Sequence, residues 1–139
     1  MRIGVDTNVL FYSLNEASPF HREARETIAR LVEERSAVIT QQNLVELAAV
    51  LTKRGVPSGA SSRIVQTFQE SMPELRPTSE TMETFLKEME SSPLKGARVF
   101  DLYLASTLIS NGVELIYTYK EKDFSGISGL RVWKPEAQF

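Results

Sequence analysis

Apolar residues recur along this chain in two rhythms. Short runs with buried character occur at Met1–Val5, with Ile3 and Val5, then at Ala37–Thr40, Leu115–Thr118 and Leu130–Trp133, and a shorter one at Glu74–Arg76. Runs of that length bounded by polar or turn residues predict strands. Between them the apolar positions follow helical spacing. Phe20, Ala24, Ile28, Leu31 and Val32 predict an amphipathic helix over Pro19 to about Glu34, with Ser18 as its cap and proline in the first turn. Leu44, Leu47, Val50 and Leu51 predict a helix running to about Arg54, stopped by Gly55 with Pro57 beyond. Ile64, Val65 and Phe68 mark a helix over Ser58–Glu70. Met82, Phe85, Leu86 and Met89 mark another, capped by Thr78 or Ser79. The last predicted helix covers Phe100 to about Ser110 and ends at Asn111-Gly112.

Strands alternating with helices of this length imply an α/β fold, a parallel sheet covered by helices on both faces. Ligand sites in such sheets lie beyond the carboxyl ends of the strands. Asp6 and the segment after Thr118 fall there.

Composition narrows the classes. At 139 residues, 42% hydrophobic and 24% charged, the chain reads as one domain, 1–139, with enough apolar material for its own core. It has no cysteine, which excludes disulfides and thiolate zinc sites. No apolar run approaches a bilayer span and no signal-peptide pattern opens the chain, so the expectation is a soluble, cytoplasmic protein. A net charge of −2 argues against a protein that coats nucleic acid with a wholly basic surface. The charge is uneven, however. Lys53, Arg54 and Arg63 lie in a stretch without acids, and Lys95 and Arg98 precede Asp101, so a basic rim around an acidic pocket is expected.

Three acids interrupt apolar runs: Asp6 after the first strand, Glu46 within Leu44–Ala49, and Asp101 within Val99–Ala105. Singly, each has an ordinary structural role: a helix cap for Asp6, an exposed helical glutamate for Glu46, a favourable helix-start charge for Asp101. Clustered, they would repel one another unless they held a hard divalent cation, and oxygen donors without histidine or cysteine suit Mg²⁺ or Mn²⁺. His21, the single histidine, falls on the charged side of its helix, which leaves no histidine-based triad.

Four segments carry a resemblance. Asp6-Thr7-Asn8-Val9-Leu10, Gln42-Asn43-Leu44-Val45-Glu46, Asp101-Leu102-Tyr103-Leu104-Ala105 and Thr118-Tyr119-Lys120-Glu121-Lys122-Asp123-Phe124 resemble, in order and spacing, the motifs of the PIN domain, in particular of VapC-type toxins. The resemblance implies a three-layer α/β/α sandwich with a central, mostly parallel, twisted sheet. It implies an Mg²⁺- or Mn²⁺-dependent ribonuclease that hydrolyses phosphodiesters to 5′-phosphate and 3′-hydroxyl ends. Metal-ligand and catalytic roles then fall to Asp6, Glu46 and Asp101, with Asp123 as the fourth carboxylate. Thr118, Lys120, Lys95 and Arg98 are the expected substrate contacts. A homodimer and a small antitoxin partner are implied as well. The chain departs from the family pattern at Lys120, where asparagine or aspartate is usual, which keeps a weakly catalytic RNA-binding or protein-interaction module of the same fold as the alternative. A phosphatase reading fails at Asn8, which stands where an Asp-x-Asp nucleophile motif needs its second aspartate. Asp6→Asn and Asp101→Asn are each expected to abolish cleavage and, by relieving repulsion, to raise the stability of the metal-free protein.

Overall fold

A computed structural model of the chain describes residues 1–136. The apolar runs form five strands: β1 (Ile3–Val5), β2 (Ala37–Thr40), β3 (Glu74–Leu75), β4 (Leu115–Tyr117) and β5 (Arg131–Trp133). Six helices separate them: α1 (Thr7–Leu14), α2 (His21–Glu33), α3 (Gln41–Lys53), α4 (Ser58–Ser71), α5 (Thr81–Ser91) and α6 (Ala97–Ser110). The strands pair in parallel in the order β3-β2-β1-β4-β5, with Ile3 opposite Ala37 on one side and Leu115 on the other.

Two-residue alternation divides the core. Ile3, Val5, Ala37, Ile39 and Tyr117 face one way and pack with Val9 and Leu10 of α1, Ala24, Ile28 and Leu31 of α2, and Leu44, Leu47 and Leu51 of α3. Val38 and Ile116 face the other way, against Leu104, Ala105 and Leu108 of α6. The result is the three-layer α/β/α sandwich. Gly4 lets α6 lie close on β1, because a Cβ there would stand 2.8 Å from the buried Leu108 methyl carbons.

Three element boundaries depart from the pattern, and those of α1 and α6 matter for the site. A helix, α1, begins immediately after Asp6, where only a polar run was expected; with eight residues and both Val9 and Leu10 buried, it is too short to display a clear apolar stripe. The Ser18–Phe20 segment is a turn and not the start of a helix: the Ser18 hydroxyl accepts from the Phe20 amide at 3.1 Å, and α2 starts at His21. At the other end, α6 starts at Ala97 after Gly96, whose φ of +56° breaks the chain direction. Asp101 therefore sits in the second turn of its helix, beyond the strongest part of the macrodipole.

β1 lies between β2 and β4: the chain runs from β1 out to β2 and β3, then crosses back to β4 and β5 on the other side of β1. The gap beyond β1 and β4 is the topological switch point, the usual location of a ligand cleft in an open parallel sheet.

Candidate active site

Asp6 follows β1 directly and caps α1. Its backbone is extended (φ −76°, ψ 158°) and its amide donates to the Tyr117 carbonyl at 3.0 Å, which fixes the ends of β1 and β4 together. The side chain is buried, 6% exposed. Oδ1 accepts from the Thr7 amide at 2.8 Å and from Asn43 Nδ2 at 3.4 Å; Oδ2 accepts from Asn8 Nδ2 at 2.9 Å and the Thr118 hydroxyl at 2.8 Å. Four donors converge on the carboxylate, and the Asn43 contact at 3.4 Å is the longest and weakest of them. Burial nevertheless dominates and pushes the Asp6 carboxyl above its ordinary value, while Thr118, Thr7, the Lys120 charge and Asn8 pull it back.

Asn8, Asn43 and Thr118 are themselves oriented. Asn8 Oδ1 accepts from the Tyr119 amide at 3.0 Å, so its amide nitrogen is the end that faces Asp6. Asn43 forms a capping box with Thr40 at the start of α3 and also donates to the Thr7 hydroxyl at 3.0 Å. Thr118 accepts from the Lys120 amide at 3.0 Å and donates to Asp6.

Glu46, one turn into α3 from Asn43, receives the Thr7 hydroxyl on Oε1 at 3.0 Å and the Gln42 amide on Oε2 at 3.5 Å. Burial raises its carboxyl as well, with Asp6 adding to the effect. Gln42 Nε2 also donates to the Phe100 carbonyl at 2.9 Å, bridging α3 to the residue before Asp101. These two acceptors fix the orientation of the Gln42 amide and leave its buried Oε1 without a donor among the described residues.

Asp101 is half-buried. Its carboxyl is pushed up to about 6, chiefly by burial and then by the charges of Asp123, Asp6 and Glu46. Asp6, Glu46, Asp101 and Lys120 line one cleft of about 300 Å³ at the switch point. Asp123 ends a 3₁₀ turn (Glu121–Asp123) beside this cleft; it acts on Asp101 through its charge but lines a separate shallow groove with Tyr119–Lys122.

Lys95 and Arg98 do not line the cleft. Lys95 is exposed in the loop before α6, and Arg98 donates to the Lys122 carbonyl at 3.0 Å, tying α6 to the loop that carries Lys120 and Asp123. Arg54 does line it, with Phe11, Tyr12 and Val50. The polar runs Asp6-Thr7-Asn8 and Gln41-Gln42-Asn43, each placed directly after a buried strand, were the sequence signal for the orienting residues that charge alone overlooks.

The donor set suits a hard divalent cation: all oxygen, three carboxylates from three elements, and an orphaned Gln42 Oε1 beside Glu46 that needs a donor such as an ion's hydration water. Among the described residues no three acids stand close enough together to grip one ion as the side chains are placed. Asp6, Glu46 and Asp101 are the residues that would hold it.

The comparisons with known proteins are in line with this architecture. No curated protein matches the chain. Among solved structures, VapBC2 from Rickettsia felis, bound to a DNA fragment from its promoter, superposes with a TM-score of 0.74 at 18% identity, covering 96% of this chain and 98% of that one. A toxin–antitoxin complex from Klebsiella pneumoniae gives 0.69 at 20% identity, covering 96% and 98%. The Mycobacterium tuberculosis toxin VapC20, described as cleaving the sarcin–ricin loop, gives 0.68 at 15% identity, covering 93% and 98%. At these identities the likeness is one of fold. The PIN domain model, however, matches residues 3–130, nearly the whole length, and on that match the chain belongs to the PIN domain family.

Proposed function

We propose that this chain is a Mg²⁺- or Mn²⁺-dependent endoribonuclease. One observation carries the reading: Asp6, Glu46 and Asp101, from three separate elements, line a single cleft at the carboxyl end of the sheet, each with its carboxyl raised by burial. Buried acids gathered without a strong counter-ion destabilise a fold, and a bound divalent cation would remove that cost. A cation held there supplies Lewis-acid polarisation of the phosphodiester and activates the attacking water.

The chain's own groups do the rest. Asn8, Asn43, Thr118 and the Thr7 amide hold Asp6 in one orientation. Thr7 and Gln42 orient Glu46 through its Oε1 and Oε2, so that it would meet the cation directly or through water. The Lys120 ammonium is positioned to balance charge that develops on the phosphate. Asp123 adds negative charge beside Asp101 and is the proposed fourth carboxylate.

The similar structures include toxin–antitoxin complexes, which supports a toxin role held in check by a small antitoxin; a homodimer rests on the family resemblance alone. No helix among the described residues is long and apolar enough to cross a membrane.

Purified protein incubated with structured RNAs tests the activity. Cleavage to 5′-phosphate ends that EDTA stops and Mn²⁺ restores is the expected result; no cleavage at any metal concentration would overturn it. Lys120 in the cleft is the observation that favours the alternative, an RNA-binding module with weak catalysis. That reading predicts RNA binding in EDTA without products on adding metal.

A further inference from the structure

The cleft has a second wall that the proposed chemistry does not use. One turn further along the helices that carry the acids, it is lined by Phe11 and Tyr12 of α1, Val50 of α3, and Arg54 just past the end of that helix. Phe11 and Tyr12 are half-buried rather than sealed in the core. The Arg54 guanidinium lies over the Phe11 ring, 4.7 Å from its centre. Arg54 is exposed and forms no side-chain hydrogen bond or ion pair among the described residues. Its guanidinium therefore rests over the ring with its donors uncommitted.

A guanidinium stacked on an aromatic ring makes a broad, flat, cationic surface. A carboxylate site with a bound cation has no need of such a surface, and neither does the core. Nucleobases of single-stranded RNA do, because their faces stack on aromatic rings and guanidinium planes while the adjacent phosphate takes the positive charge. A cleft of about 300 Å³, roughly ten times the volume of a liquid water molecule, has room for one nucleotide.

We infer that the Phe11–Arg54 pair, backed by Tyr12 and Val50, is a nucleobase platform that stacks one unpaired base of an RNA chain beside the carboxylates. The inference rests on the ribonuclease reading and deepens it. The platform selects a single-stranded or splayed-out nucleotide and places its phosphate between Arg54 and the acid cluster.

The test uses the full chain and a fluorescein-labelled single-stranded RNA, with binding followed by anisotropy in EDTA so that nothing is cleaved. Phe11→Leu keeps the apolar contact with the core and removes the ring; Arg54→Gln changes an exposed residue and leaves the core untouched. Each is expected to weaken binding about tenfold, within the range lost per stacked base. Arg54→Gln should also lower the salt slope by about one phosphate contact. An abasic nucleotide walked along the RNA should cost wild type about tenfold at one position and cost Phe11→Leu little there. Wild-type affinity in both variants, or the same abasic penalty in all three proteins, overturns the platform. Wild-type cleavage with Mn²⁺, measured on the same RNA, separates the two readings. Cleavage with unaffected variants sinks the platform alone, whereas a wild type that neither binds nor cleaves RNA sinks both.

Discussion

At Asp6 both carboxylate oxygens are already engaged, and by donors whose directions are set elsewhere. Asparagine there would turn an NH₂ group towards Asn8 Nδ2, which cannot flip without losing the Tyr119 amide. Asp6→Asn should therefore abolish cleavage and also cost about 1–3 kcal/mol of stability, the usual result of an unsatisfied buried polar group. This revises the expectation that neutralising any one acid stabilises the metal-free protein. Asp101 differs, because among the described residues no hydrogen-bond donor reaches its carboxylate. Its folded carboxyl sits near 6 against an ordinary 3.8, so the folded state binds the extra proton. Stability of the metal-free protein should fall as pH rises from about 4 to 6 and stay lower above it. Asp101→Asn should remove the Asp101 share of that dependence, leaving that of Asp6 and Glu46, and melt above wild type at pH 7, with little difference at pH 4. Thermal melts in EDTA across this range check both variants. The acids were legible in the sequence because they interrupt apolar runs. The amides that orient them were not, because Asn43 meets Thr7 across 36 residues and Asn8 meets Thr118 across 110, and no local pattern encodes such contacts.

At the scale of the element, the first turn of α3 organises the cleft. Asn43 caps the helix, donates to Thr7 and Asp6, and is almost completely buried. Asn43→Ala removes the cap partner and leaves several buried groups unpaired, so a loss of about 2–4 kcal/mol is expected in denaturant melts. Gln42 is a positioning residue of another kind, with one amide shared between Glu46 and the Phe100 carbonyl. Gln42→Ala should lower kcat several-fold while the melting curve stays within about 0.5 kcal/mol of wild type, as for most surface changes. A fall in stability equal to that of Asn43→Ala would make Gln42 structural instead. The long helices were legible from their 3.6-residue spacing. α1 was not, because eight residues with a polar first turn offer too few periods. The early start of α6 was hidden because Ala97 and Arg98 are exposed and add nothing to an apolar stripe.

Over the whole molecule, the sheet order decides what the acids can do together. Alternating strands and helices make an α/β sandwich predictable, but only the pairing of β1 with β4 brings Asp6 beside Thr118, and that pairing appears nowhere in the local sequence. It also gathers three raised carboxylates and Lys120 into one electrostatic unit. The Lys120 charge lowers all three carboxyls, so it acts as a tethered counter-ion. A cation binding there must compete with protons at low pH and with the lysine at any pH. Mn²⁺ should raise the melting temperature at pH 7.5 as RT ln(1 + [Mn²⁺]/Kd) requires. That gain should shrink as pH falls through about 6, where Asp101 takes up its proton. Lys120→Asn should shift both limits. Without metal the variant should melt below wild type, because the carboxylates lose their neutralising charge. With metal it should reach half-saturation at a lower Mn²⁺ concentration, read by the melting shift and by the electron paramagnetic resonance signal of free Mn²⁺. Identical metal midpoints in the two proteins would place the ammonium outside the field of the acids and overturn its role as their counter-ion.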